Sequence, residues 1–112
     1  MKVSISQDGP VTIVALEGKV DTDTCNDVET ALLAEIGKGA TRMVIDMAEV
    51  DYISSAGLRS VLIAGKKIKA VKGRVAFCNL RPLIFDVFDA SGFTTILTVC
   101  GARDEAVAAC RA

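Results

Sequence analysis

Tyr52-Ile53-Ser54-Ser55-Ala56-Gly57-Leu58 joins two stretches of different hydrophobic period. Before it, Met43-Val44-Ile45 is a short apolar run of the kind that forms a buried strand. After it, Leu58, Val61, Leu62, Gly65 and Ile68 recur at helical spacing. Two adjacent serines therefore stand where a strand and a short loop give way to a helix. Such a position offers hydroxyls, free backbone N–H groups and the positive end of a helix dipole to solvent. It can serve as a helix cap, an anion site, a nucleophile or a phosphorylation acceptor.

Working outward, residues 2–6 alternate as a strand does, and Gln7-Asp8-Gly9-Pro10 signals a turn. Val11 to Leu16 reads as a second strand, so the two form a hairpin. Thr22, Asp23 and Thr24 are N-cap candidates for a helix marked by Val28, Leu32, Leu33 and Ile36 and ended by Gly37 and Gly39. A strand is expected over Arg42–Met47, and the helix after the serines ends near Gly73. Another strand covers Arg74–Leu80. Pro82 opens a third helix with Leu83, Val87 and Phe88 as its apolar face and Ser91-Gly92 as its end. A last strand over Thr95–Val99 and an Ala-rich helix over residues 102–111 complete the order β-β-α-β-α-β-α-β-α.

Strands alternating with helices predict a single α/β domain over residues 1–112. Its mixed sheet has about four to five strands, with about four helices mainly on one face. Sites in such sheets lie near the carboxyl ends of strands. The Ser54-Ser55 loop follows such an end, and Asp21 is expected at a neighbouring one.

Of the 112 residues, 51% are hydrophobic, which suffices for one core, and the net charge of −1 gives no electrostatic case for nucleic acid or an anionic membrane. No run approaches the ~18 apolar residues of a membrane span. The first residues alternate and lack the apolar core of a signal peptide, so the chain reads as soluble and intracellular. The four cysteines form no C-x-x-C pair and there is no histidine, which argues against a metal site. Cys25, Cys78 and Cys100 fall within apolar patterns and read as reduced, structural thiols. Without histidine the usual general base for a serine nucleophile is missing. Lys66 and Lys67 lie more than two turns down the helix, beyond reach of either serine.

The bland reading of the serine pair is a helix cap worth about 1 kcal/mol. The functional reading is a phosphoacceptor, since a phosphate there would meet free N–H groups. Gly57 signals either tight packing of helix on sheet or close approach of another molecule to bare backbone. Asp21 and Asp46 read either as backbone-capping carboxylates or as an acidic rim around the serines. Lys66, Lys67, Lys69 and Lys72 form a solvated face that suits the helix C-terminus. Glu17-Gly18-Lys19 lacks the spacing of a phosphate-binding loop.

In this order, Leu16-Glu17-Gly18-Lys19-Val20-Asp21, Val44-Ile45-Asp46-Met47, Tyr52–Leu58 and, more weakly, Leu83–Phe93 resemble the STAS domains, above all the stand-alone bacterial anti-sigma factor antagonists. The resemblance spans nearly the whole chain. It implies a cytoplasmic, non-catalytic protein without metal or cofactor. Its implied partners are an anti-sigma factor that is a GHKL-type serine kinase, and a PP2C-type phosphatase. The unphosphorylated form would bind the anti-sigma factor and release a sigma factor. The resemblance assigns the phosphoacceptor to Ser55. Many relatives carry aspartate where this chain has Ser54, which is left as a second phosphosite or a helix cap. The implied partner surface comprises Asp21, Asp46, Ser54, Ala56, Gly57 and Arg59. The alternative is a STAS scaffold in another regulatory, secretion-control or transport complex, with no phosphoswitch.

Overall fold

The computed structural model describes residues 1–112. Strands β1 (Lys2–Asp8) and β2 (Val11–Val20) form an antiparallel hairpin. Helix α1 (Cys25–Gly37), β3 (Arg42–Ile53), α2 (Ser55–Ala70), β4 (Arg74–Cys78) and α3 (Pro82–Ala90) follow. A 3-10 turn (Phe93–Thr95), β5 (Thr98–Cys100) and α4 (Arg103–Arg111) complete the chain. The five strands lie in the order β1-β2-β3-β4-β5, parallel from β2 onward. No helix is long and apolar enough to cross a membrane.

Sequential order explains where the helices go. Parallel neighbours joined by right-handed crossovers that all step the same way place every crossover helix on the same face. Val28 and Leu32 of α1, Leu58, Val61, Ala64 and Ile68 of α2, and Ile84 and Phe88 of α3 accordingly share one core. The sheet contributes Val14, Leu16, Met43, Ile45, Met47, Val75 and Phe77 to it. The alternate strand positions, Ile13, Val44, Ala76 and Cys78, face the other way and are covered by Ala106, Val107 and Cys110 of α4. Three helices on one face and one on the other agree with the architecture read from the sequence.

The strands run further than their apolar patterns suggest. β2 extends from Leu16 to Val20 and β3 from Met47 to Ile53, because each pairs with the other along this length, with register shifts between Ala15 and Glu17 and between Gly18 and Lys19. β4 ends at Cys78 and β5 occupies Thr98–Cys100 rather than Thr95–Val99. Of the expected apolar face of α3, Phe88 is kept and Leu83 and Val87 are corrected. Ile84 and Phe88 are buried, whereas Leu83 is 77% exposed and Val87 also faces solvent. Two adjacent i,i+4 stripes are both apolar in the sequence. Phe88 is drawn inward by an edge-to-face contact with Phe77, ring centroids 5.4 Å apart, and carries Ile84 with it.

Candidate functional site at the start of helix α2

The register of β2 and β3 builds the site. Val20 pairs with Ile53, so Asp21 and Ser54 leave the sheet side by side at its carboxyl edge. The Ser54 N–H continues the ladder by donating to the Val20 carbonyl at 2.9 Å. Ser54 is extended, with φ −91° and ψ 172°, and its Oγ accepts the Gly57 N–H at 3.1 Å. That is N-cap geometry, and it satisfies one of the N–H groups a helix leaves free at its start. Ser55 is the first residue of α2, is exposed, and takes part in no side-chain hydrogen bond. The two serines are thereby distinguished: one hydroxyl is engaged by its own helix and the other is free.

Gly57 is buried beneath this turn. A β-carbon there would stand 2.3 Å from the Val20 carbonyl oxygen. Of the two readings left open for Gly57, packing of helix on sheet is the one realised.

Asp21 organises the opposite wall. Its Oδ1 accepts the N–H groups of Asp23 (3.0 Å) and Thr24 (3.2 Å), closing the turn into α1. Thr24 Oγ1 donates to the Lys19 carbonyl at 2.6 Å and accepts the Asp21 N–H at 2.9 Å. Thr24 is the N-cap residue of α1 by position, but its hydroxyl ties the turn instead of capping the helix. Between this wall and α2 lies an open groove of about 380 Å³ lined by Cys25, Asn26 and Glu29 of α1 and Ser55, Ala56, Arg59 and Ser60 of α2. Ser60 Oγ donates to Glu29 Oε1 at 3.3 Å across it. Cys25, Asn26, Glu29 and Ser60 were not legible as site residues. Cys25 in particular lies half-exposed in the groove rather than in the core its pattern suggested. Helical spacing marks which side of α1 is apolar but not which turn of α1 meets which turn of α2.

Asp46 is elsewhere. It shares the face of Val44, under α4, and is 5% exposed. Burial alone would raise the pKa of its carboxyl. The Ala48 N–H (3.0 Å), Arg103 Nε (2.8 Å) and Asn79 Nδ2 (3.2 Å) outweigh burial and hold it below the usual carboxylate value. It secures the irregular stretch of β3, the loop after β4 and the first residue of α4. Asp21, Ser54, Ser55, Ala56, Gly57 and Arg59 are gathered at one edge, and Asp46 does not join them. The expected acidic rim thus loses Asp46 because it lies within β3 two residues after Val44, so strand alternation sends its side chain to the far face, under α4.

A sequence profile described as the STAS domain matches residues 2–106. The chain belongs to the STAS family. This STAS protein is 38% identical over 109 residues to BtrV of Bordetella bronchiseptica, described as an anti-sigma factor antagonist, with 97% of this chain and 94% of that protein covered. Its fold is similar to that of a Thermotoga maritima protein given the same description, with a TM-score of 0.93 at 16% identity over 98% of this chain and 95% of the other. It is also similar to the Bacillus cell fate determinant SpoIIAA in the phosphorylated form, with a TM-score of 0.74 at 21% identity over 96% and 97% of the chains.

Proposed function

We propose that this STAS protein is an anti-sigma factor antagonist that works by binding, under the control of phosphorylation at Ser55. In its unphosphorylated form it binds an anti-sigma factor, a GHKL-type serine kinase, and so frees a sigma factor in the cytoplasm. The kinase transfers the γ-phosphoryl group of ATP to Ser55 Oγ, ADP leaves, and the phosphoprotein lets go. A PP2C-type phosphatase hydrolyses the phosphoester and resets the switch.

The observation that carries this reading is the difference between the two serine hydroxyls. Ser54 Oγ is held by the Gly57 N–H, while Ser55 is exposed and uncommitted at the first position of a 16-residue helix. A phosphate on Ser55 would leave the cap intact and would face the free N–H groups of the first turn, so the fold tolerates it. The change falls instead on the surface around it, formed by Asp21, Ser54, Ala56 and Arg59, where added charge and bulk oppose docking. The 38% identity to BtrV over almost the full length supports the same partner class. Asp46, nearly buried beneath α4, is left out of the docking surface.

The test is incubation with the cognate kinase and ATP, followed by mapping of the modified residue by mass spectrometry. Label at Ser55, abolished in Ser55→Ala and retained in Ser54→Ala, is the expected result. Undiminished labelling of Ser55→Ala overturns the site. Equal affinity of the phosphorylated and unphosphorylated forms for the kinase overturns the switch.

A further inference from the structure

The ion pairs of this protein leave one cation unaccounted for beside Ser55. Of its 13 lysines and arginines, seven make no salt bridge. Six of these, Arg42, Lys66, Lys67, Lys69, Lys72 and Arg74, sit where α2 ends and β3 and β4 begin. Arg59 is the seventh, and it lies at the opposite end, in the groove with Ser55. The other cations toward that end, Lys2, Lys19, Arg81 and Arg103, are each paired with a carboxylate. Arg59 remains exposed and unpaired, although Asp21, Asp23, Asp27 and Glu29 stand on the neighbouring turn and helix.

We propose that Arg59 is the intramolecular partner of a phosphate on Ser55, folding that group down along α2 into the groove. The inference rests on the phosphoacceptor reading above. Ser55 and Arg59 are four residues apart on one helix, a spacing that sets β-carbons roughly 5–6 Å apart on the same face. Long side chains on a helix lean toward its N-terminus, a lean that directs Arg59 toward the turn that begins with Ser55, and both residues line the same groove. A phosphoserine brings close to two negative charges and three acceptor oxygens, and the guanidinium fork matches a pair of such oxygens in a way that an ammonium does not. The anion is also N-terminal to the cation, the orientation the helix dipole favours.

The groove sets the opposing influence. Glu29 and Cys25 of α1 face the same space, and Asp21 closes the loop above it. These carboxylates disfavour the doubly charged phosphate, and Arg59 favours it. The phosphate so held is partly neutralised and turned toward α1. The unphosphorylated protein, by contrast, keeps Arg59 free to reach a partner. Phosphorylation would then remove two docking features at once, the Ser55 hydroxyl and the Arg59 guanidinium.

The experiment installs phosphoserine at position 55 by translational incorporation, in the otherwise natural chain and in the Arg59→Ala and Arg59→Lys variants. The second ionisation of the phosphate is then followed by phosphorus NMR from about pH 4.5 to 8, around its ordinary value near 6. With Arg59 present the ionisation lies lower than in Arg59→Ala by about half a pH unit or more, as an opposite charge nearby dictates. Arg59→Lys falls between the two. A phosphate installed at position 54 instead titrates independently of Arg59. Coincident titrations of the natural and Arg59→Ala phosphoproteins overturn the proposal, as does a phosphate at position 54 that responds to Arg59 as strongly as one at position 55. Because no kinase is used, a kinase that ignores Ser55 would sink the switch and leave this result standing. Coincident titrations would sink the Arg59 pairing and leave the switch.

Discussion

Gly57 sits directly against the carbonyl of Val20, where a β-carbon would come within 2.3 Å of the oxygen and 2.7 Å of Val20 Cγ1. The same carbonyl accepts the Ser54 N–H at 2.9 Å, so it cannot swing aside without losing the bond that positions the cap. Glycine in a helix is ordinarily worse than alanine by about 0.5–1 kcal/mol. Here the clash reverses that preference. Gly57→Ala is expected to destabilise the protein by about 1–3 kcal/mol, the usual range for overpacking. Urea unfolding measures it, and an unchanged or raised midpoint would show that the helix can lift off β2.

The serine pair separates by stability as well as by chemistry. Ser54→Ala removes the acceptor of the Gly57 N–H and is expected to cost about 1 kcal/mol. Ser55→Ala removes an exposed, unbonded hydroxyl and should stay within about 0.5 kcal/mol of the natural protein. Thermal unfolding of the two variants side by side checks this. Equal losses would mean that both hydroxyls cap the helix.

Asp46 makes the fold sensitive to acid. Its carboxyl titrates below the usual carboxylate value in the folded protein, so the unfolded chain binds its proton first. Its stabilising contribution is therefore complete above the unfolded pKa of about 3.9 and is lost as pH falls through the folded value. Asp46→Asn should be less stable than the natural protein at pH 7, and the gap should begin to narrow below about pH 4. Denaturant midpoints from pH 7 down to 3 read this directly, and a constant gap would remove Asp46 as its source.

The thiols on the α4 side behave in the opposite sense. Burial, assisted by the nearby Asp46 charge, pushes the Cys78 thiol up to about 12, and burial also raises Cys110. A thiol with a raised folded pKa contributes its full stability below the unfolded value near 8.5 and loses it as pH rises toward the folded value. Alkaline conditions above about pH 9 should therefore loosen α4 from the sheet. At pH 8 a disulfide reagent should label Cys25 in the groove first and leave Cys78 and Cys110 untouched until denaturant is added. Labelling of Cys78 as fast as Cys25 in the native state would show that α4 opens freely.

Phe88 carries the packing of α3. It is fully buried edge-on to Phe77, and Phe88→Ala should cost about 3–5 kcal/mol. Leu83→Ala, on the exposed stripe, should cost under about 0.5 kcal/mol. Comparably large losses at both positions would restore the face of α3 expected from the sequence, in which Leu83 lies beside Phe88.

Local pattern accounts for much of this molecule. The switch from a strand period to a helix period around Ser54-Ser55, the turn at Gly9-Pro10 and the Pro82 helix start each rest on interactions within a few residues, so the chain order of strands and helices could be read directly. Sequential strands then imply the one-sided arrangement of α1, α2 and α3 through crossover handedness. The candidate site was legible as far as Ser54, Ser55 and Asp21 because all three occupy ends of elements. Its groove was not, because Cys25, Asn26, Glu29 and Ser60 become neighbours only when α1 packs on α2.

What the sequence determined by itself, then, is the succession of elements and the serine pair at a helix start, since both follow from short-range periodicity and backbone chemistry. Only the tertiary structure decided three further points. It packed α4 on the Val44 face of β3 and so buried the Asp46 carboxylate beneath it. It put Ile84 beside Phe88 in the core in place of Leu83 and Val87. It assigned the cap to Ser54 and left Ser55 free, by setting the Val20 carbonyl under the first turn of α2. Periodicity tells a chain that its faces differ, but which neighbour covers each face is decided by residues far away along the sequence.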